Sequence, residues 1–162
     1  MAANQSPSSA FTIKSLYLAA FAQAGSPHIA LLIPESEKSG NLVHIRIQRD
    51  ISPNWTFQRR TEDIVGNMFL TTLLKIHDVS AGEITPLQLE TVSKQVPVPE
   101  NDKFGECSLW VYRVVEELHN SGMVNLVDIR ELGKEFESFA AGNRNFARRD
   151  KFPNADVSKW CS

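Results

Sequence analysis

The first half of the chain carries apolar residues with the spacing of β-strands. Residues 28–33 form a continuous apolar run of strand length, which is typical of a buried central strand. Residues 41–48 alternate strictly from Leu42 onward, so that His44 lies on the face opposite Val43 and Ile45. Further strands are predicted at 11–22, 55–60 and 68–76. This half therefore predicts an antiparallel meander of about five strands.

The second half shows the start and stop signals of helices. Thr85, followed by proline, predicts a helix that runs to about Lys94. A second helix is predicted from Glu106 or Cys107 to His119, and a third begins at a cap, Asp128. Strands and helices that are segregated in sequence indicate an α+β fold, with about five antiparallel strands packed against about three helices.

Length and composition narrow the possible classes of protein. The 162 residues fit a disordered leader at 1–9 and a single α+β domain at 10–162. A net charge of −2 argues against a nucleic-acid partner. The first ten residues lack the pattern of a secretory signal, and no apolar run approaches the ~20 residues of a membrane span. We therefore expect a cytoplasmic protein without an integral membrane segment, whose oligomeric state the sequence leaves open.

The candidate chemistry centres on a cysteine. Cys107 is predicted in the first turn of a helix, where the helix dipole favours a thiolate. Cys161 is the only other cysteine, which is too few for a disulfide scaffold and fits a reducing compartment. Neither metal-ligand spacing nor a glycine-rich loop is present, so we expect no metal and no cofactor.

Two histidines are candidate partners of the thiol. His28 opens the central strand and His44 lies on the next strand. If the two strands form a hairpin, its register decides whether the histidines meet. When the numbers of paired residues have an even sum, both histidines lie on one face of the sheet, and a slip of one residue separates them. His28 would then act as base and His44 would orient it. Each histidine also has an ordinary alternative, a surface or capping role for His28 and a polar-face strand position for His44.

Cys107 and two tryptophans also fit structural roles. Cys107 heads an apolar stripe at helical spacing, as an inert core cysteine would. Trp55 and Trp110 are candidate substrate-binding residues, and both are equally compatible with packing.

Three segments together resemble a known family. They are Pro27-His28-Ile29-Ala30-Leu31-Leu32-Ile33, Val43-His44-Ile45 and Cys107-Ser108-Leu109-Trp110-Val111. Their order is similar to that of the circularly permuted branch of the NlpC/P60 papain-like superfamily. That branch includes lecithin:retinol acyltransferase-like proteins and PPPDE peptidases, and small fungal proteins of unassigned function share the pattern.

The resemblance implies a permuted papain-like fold and a thiol enzyme. Cys107 would be the nucleophile, with His28 and His44 completing the catalytic site. The expected activity is that of a cysteine hydrolase or acyltransferase on an amide, peptide or ester bond, with a small-molecule, peptide or acyl substrate.

Two other hypotheses remain open. In the first hypothesis, the domain is inactive or repurposed and binds a small molecule or a protein. Glu106 favours this hypothesis, because a carboxylate beside the thiol disfavours the thiolate. Alternatively, the fold is an unrelated α+β fold in which His28 and Cys107 are not neighbours.

Overall fold

The computed structural model describes residues 10–162, in which one sheet packs against three α-helices. The leader predicted at 1–9 lies outside the described residues. The strands are β1 Leu16–Phe21, β2 His28–Pro34, β3 Ser39–Ile47, β4 Trp55–Asp63, β5 Leu70–His77 and β6 Asn154–Val157. The helices are α1 Pro86–Lys94, α2 Glu106–Asn120 and α3 Ile129–Ala141. Single turns of 3-10 helix occupy Val79–Ala81 and Arg144–Phe146.

The sheet has six strands in the order β4-β3-β2-β1-β5-β6. All neighbours are antiparallel except β5 and β6, which run parallel. The α+β class with three helices is confirmed, and β1 to β5 pair in the antiparallel way predicted, but the sheet is mixed because a sixth strand, which was not predicted, runs parallel to β5. The missed strand is only four residues long and alternates weakly, so its pairing depends on the free edge of β5 and not on a local apolar pattern.

Both faces of the central strands are buried. One face packs against the helices, and Ile29, Leu31, Val43 and Ile45 contribute to that core. The other face forms a second cluster, to which Ala30, Leu32 and Leu42 contribute. Strands covered on both sides are selected for continuous apolar character, which explains the unbroken run at 28–33.

The three helices begin in different ways, and the difference matters for the site. Thr85 starts α1 with a complete capping box, and the Asp128 side chain accepts two backbone N–H groups at the start of α3. Helix α2 begins instead at Gly105, which has a φ of 92° and no side chain to cap the helix. The first N–H groups of α2 are therefore left for other partners.

The C-terminal segment packs onto the domain. Strand β6 adds to β5, and Leu126 forms an isolated bridge with Cys161, which is buried. Trp160 packs against the helix-facing core. Among residues 10–162, no helix has both the length and the apolar content needed to cross a bilayer.

Candidate active site

Strands β2 and β3 separate at one end and open a cleft there. Their ladder runs from Pro34 opposite Gly40 to Leu31 opposite Val43 and goes no further, although β2 stays paired with β1 as far as His28. The cleft has a volume of about 810 Å³. Its lining includes His28, His44, Arg46, Trp55, Cys107 and Ser108.

A hydrogen-bonded chain of side chains crosses the gap between the separating strands. His28 Nε2 lies 2.7 Å from His44 Nδ1, and His44 Nε2 lies 2.8 Å from Gln58 Oε1. The hairpin has one of the even registers, which the sequence left open, and both histidines therefore share a face. Gln58 stands directly opposite His44 on β4.

The contacts of Gln58 determine which nitrogen of each histidine carries a proton. Gln58 Oε1 also lies 3.3 Å from a nitrogen of Arg46 and 3.5 Å from a nitrogen of Arg60, and guanidinium groups only donate. His44 Nε2 therefore donates to Gln58, which makes His44 Nδ1 the acceptor in a neutral ring. His28 Nε2 must then donate to His44. His28 Nδ1 keeps its lone pair and has no hydrogen-bond partner among residues 10–162.

Burial and charge keep both rings neutral. Burial lowers the pKa of His44 to about 3, although its hydrogen bond to Gln58 opposes the shift. Burial, together with the positive charges of Arg60 and Arg46, lowers the pKa of His28 to about 4. A protonated His44 would carry hydrogens on both nitrogens and could not accept from His28. Because a protonated His44 could instead donate to His28 Nε2, the lowered pKa values, and not the hydrogen bonds by themselves, make the neutral state the resting one.

The Cys107 thiol lies at the start of α2 in the helix-facing core, whereas His28 pairs with Phe21 on the opposite face of β2, and no hydrogen bond joins the two side chains. The backbone N–H groups of Ile29, of Ser108 and of Cys107 itself lower the pKa of the thiol, but burial outweighs them and raises it. The thiol is therefore protonated at neutral pH, contrary to the thiolate expected from the helix dipole. Glu106 makes no contribution to this shift.

The two tryptophans have different surroundings. Trp55 lines the cleft, and its indole N–H donates to the Lys103 carbonyl at 3.0 Å, which holds the loop before α2. Trp110 is 1% exposed, packs against Phe57 and donates to the Val96 carbonyl at 3.3 Å. The assignment of Trp110 as a substrate-binding residue is corrected: its position on the buried face of α2 makes it a core residue.

Gln58 and the arginines beside it were not among the residues selected from the sequence. A glutamine on a polar strand carries no signal of its own. Its role depends on the pairing of β3 with β4, which sets it opposite His44 and brings Arg46 and Arg60 to the same oxygen. Among residues 10–162, no three side chains of the metal-binding types cluster to hold an ion.

Comparison with known proteins identifies a family but no activity. Residues 16–125 match DUF6540, a family of unknown function, and because this match covers more than half of the chain, the protein belongs to that family. The matched region includes β1 to β5, α1 and α2, and hence His28, His44, Gln58 and Cys107. No curated protein and no solved structure matches the chain.

Proposed function

We propose that the protein is a cysteine-dependent hydrolase or acyltransferase that acts on an amide, peptide or ester bond. Cys107 is the nucleophile, His28 is the base, and His44 and Gln58 position His28. One observation carries the proposal: the His28–His44–Gln58 chain leaves the lone pair of His28 Nδ1 unused in a cleft that Cys107 also lines. A base held in one tautomer and a thiol that line the same cleft are the groups that nucleophilic catalysis uses, and the reaction requires the Cys107 thiol, which is not hydrogen-bonded to His28 in the structure, to approach His28 Nδ1.

The proposed reaction has two steps, acylation of Cys107 and release of the acyl group. The Cys107 sulfur attacks the substrate carbonyl carbon while its proton moves to His28 Nδ1. The tetrahedral intermediate collapses, the bond to the leaving group breaks, and the leaving group takes the proton from His28. Water, or an acceptor hydroxyl or amine, then attacks the thioester and gives a proton to His28. Collapse releases the product, and the proton returns to the Cys107 sulfur.

The uncapped start of α2 serves this reaction. The N–H groups of Cys107 and Ser108, which lower the pKa of the resting thiol at a helix start without a side-chain cap, hold the oxyanion in this proposal as negative charge moves from sulfur to oxygen. Because the resting pair is a thiol and a neutral imidazole, proton transfer accompanies the attack and does not precede it. The proposed enzyme therefore has a low reactivity toward general alkylating agents.

The relationship to the permuted NlpC/P60 papain-like superfamily is part of this proposal. It is supported by the order of the histidine strand, the second histidine strand and the cysteine helix, and by the hydrogen bond between the two histidines. We also propose a cytoplasmic setting, in which the free thiols of Cys107 and Cys161 stay reduced. A net charge of −2 supports a substrate that is not a nucleic acid.

The test is acylation by a 4-nitrophenyl ester, followed by intact-mass and peptide mass spectrometry. The wild-type protein should form a thioester on Cys107 that neutral hydroxylamine removes. His28→Asn should slow acylation by ~10²–10⁴-fold, because that is the usual contribution of a general base. Cys161 is the internal control, since it is equally buried and burial raises its pKa to about 12, but no histidine pairs with it.

Either of two results would overturn the proposal. One is acylation of Cys107 at the same rate in wild type and in folded His28→Asn protein. The other is labelling of Cys107 only under conditions that also unfold the protein and label Cys161. Thermal melting of both proteins before the assay shows that the variant is folded.

A second candidate function is ligand binding without chemistry in the same cleft. The raised pKa of the Cys107 thiol and the lowered pKa of His28 favour it, since both groups rest in their least reactive states. This alternative predicts that Cys107→Ala binds the physiological ligand as wild type does and that neither protein turns an acyl ester over.

A further inference from the structure

Arg46 is the cation in the cleft that lacks a carboxylate partner. It is half-buried on β3, lines the cleft, and its side chain hydrogen-bonds only to Gln58 Oε1, at 3.3 Å. No carboxylate oxygen of residues 10–162 lies within 4.0 Å of its guanidinium. A half-buried guanidinium without a counter-ion has donors free for an anionic ligand.

The other arginines of the cleft already have partners. Arg49 lies 3.4 Å from Asp102, and Arg60 Nε lies 2.8 Å from Glu62. One unpaired positive charge therefore remains on the β3 side of the cleft. A single free guanidinium matches a monoanion, and its planar pair of N–H groups matches a carboxylate. A phosphate dianion would call for a second free cation.

The two carboxylates that line the cleft do not neutralise Arg46. Asp102 is held by Arg49, and Glu137 lies on α3, where the Tyr112 hydroxyl donates to it at 3.4 Å. Neither carboxylate affects the histidines, whereas Arg60 and Arg46 act on both of them. The charged groups that act on His28 are therefore both positive, and a carboxylate bound between them would oppose their effect.

We infer that the cleft takes an amide or ester substrate with a free carboxylate near the scissile bond, and that Arg46 binds this carboxylate. The inference rests on the proposed function for the reaction, but not for binding. It also links recognition to reactivity. A carboxylate on Arg46 opposes the effect of these positive charges on His28 and so raises the pKa of this base, which makes His28 a better acceptor for the Cys107 proton. Arg46 thus determines specificity, and the anionic substrate activates the base.

The kinetic test compares two 4-nitrophenyl esters of equal chain length, the hexanoate and the monoester of adipic acid. Wild type should prefer the anionic ester in kcat/KM after subtraction of the uncatalysed rate. Arg46→Gln should reduce that preference by ~10-fold or more, because a charge-assisted bidentate contact is worth about 1.5–3 kcal/mol. Arg46→Lys should retain part of it. Arg130→Gln is the matched control, since Arg130 is exposed, lies on α3 outside the cleft and carries the same charge.

A binding test separates this inference from the thiol chemistry. Monomethyl adipate is titrated into Cys107→Ala protein and into the same protein carrying Arg46→Gln or Arg130→Gln, with the His28 ring followed by NMR. We expect binding that only Arg46→Gln weakens, by ~10-fold or more, together with an upward shift of the His28 pKa in the bound state.

The outcomes of the two tests are distinct. Equal preference in wild type and Arg46→Gln overturns the anion site while the thiol enzyme stands. Arg46-dependent binding without acylation by either ester supports the anion site and contradicts the proposed function. Absence of Arg46-dependent binding and of ester preference overturns the inference outright.

Discussion

Two polar networks lie on different strands of the same sheet, separated by β1. In the network at β5 and β6, Asn143 donates to Thr72 at 3.0 Å and accepts from Asn154 at 2.9 Å. Thr72 also shares a hydrogen bond with Thr71, which donates to a β1 carbonyl. No buried side-chain atom of this network lacks a partner. It joins three segments of chain and has no group free to react.

The histidine network at β2 and β3 is built from similar contacts, but it is open at one end. His44 donates to Gln58 and accepts from His28, and the Nδ1 lone pair of His28 has no partner in the cleft. A network in which every buried polar group has a hydrogen-bond partner stabilises a fold. An open one retains a reactive group at a cost in stability. The difference between the two networks is our main reason for assigning chemistry to the histidine network.

The largest expected effect separates activity from stability at His28. His28→Asn should lower acylation of Cys107 by ~10²–10⁴-fold, because the general base is lost. Its free energy of unfolding should change little, since His28 is only partly buried and lies at a strand end. Ester kinetics and urea unfolding on the same preparation measure both quantities. A large loss of stability with unchanged kinetics would make this network structural as well.

Asn143 should show the opposite behaviour. Asn143→Ala removes the donor to Thr72 and the acceptor of Asn154 and should lower the free energy of unfolding by ~2–3 kcal/mol. Activity per folded molecule should stay at the wild-type value, because Asn143 does not line the cleft. Urea unfolding and active-site titration test the two statements. A drop in specific activity would show that the two networks are coupled.

Acid should destabilise the protein through the histidine network. Between pH 6.5 and the folded pKa of about 3, the unfolded chain takes up a proton on His44 that the folded chain does not bind. The stability contributed by neutral His44 is therefore complete above pH 6.5 and is lost as the pH falls. From pH 7 to pH 5 this loss should be ~1–2 kcal/mol for His44.

Urea unfolding at several pH values measures this slope. His44→Gln should flatten it, while Asn143→Ala should keep the wild-type slope at a lower stability, because its network holds no titratable group. Equal slopes in wild type and His44→Gln would contradict the neutral-pair assignment.

The smallest expected effect concerns Gln58, which acts through His44. Gln58→Leu should lower kcat by ~10-fold with little change in KM, since a positioning hydrogen bond is worth about 1–1.5 kcal/mol. Gln58→Glu should instead shift the acidic limb of the pH–rate profile to higher pH, because a carboxylate beside His44 raises its pKa. A structural role alone would leave that limb in place. The measurement is the pH dependence of kcat for the three proteins.

Much of the fold was predictable because its signals are local. The Thr85 and Asp128 caps, the apolar run of β2 and the stripe that begins at Cys107 each depend on neighbours in sequence, and all appear in the structure. Strand β6 was not predictable, because four weakly apolar residues pair only where β5 offers a free edge.

The site divides in the same way. The residue types and spacing of Cys107, His28 and His44 identified them as candidates, since a helix start and two successive strands can be read from the chain. The register that joins the histidines, the end of the β2–β3 ladder, and Gln58 and Arg46 depend on pairing between distant segments. Only the tertiary structure decided the charge states, because the burial that keeps the thiol and both imidazoles neutral is a property of the packed molecule.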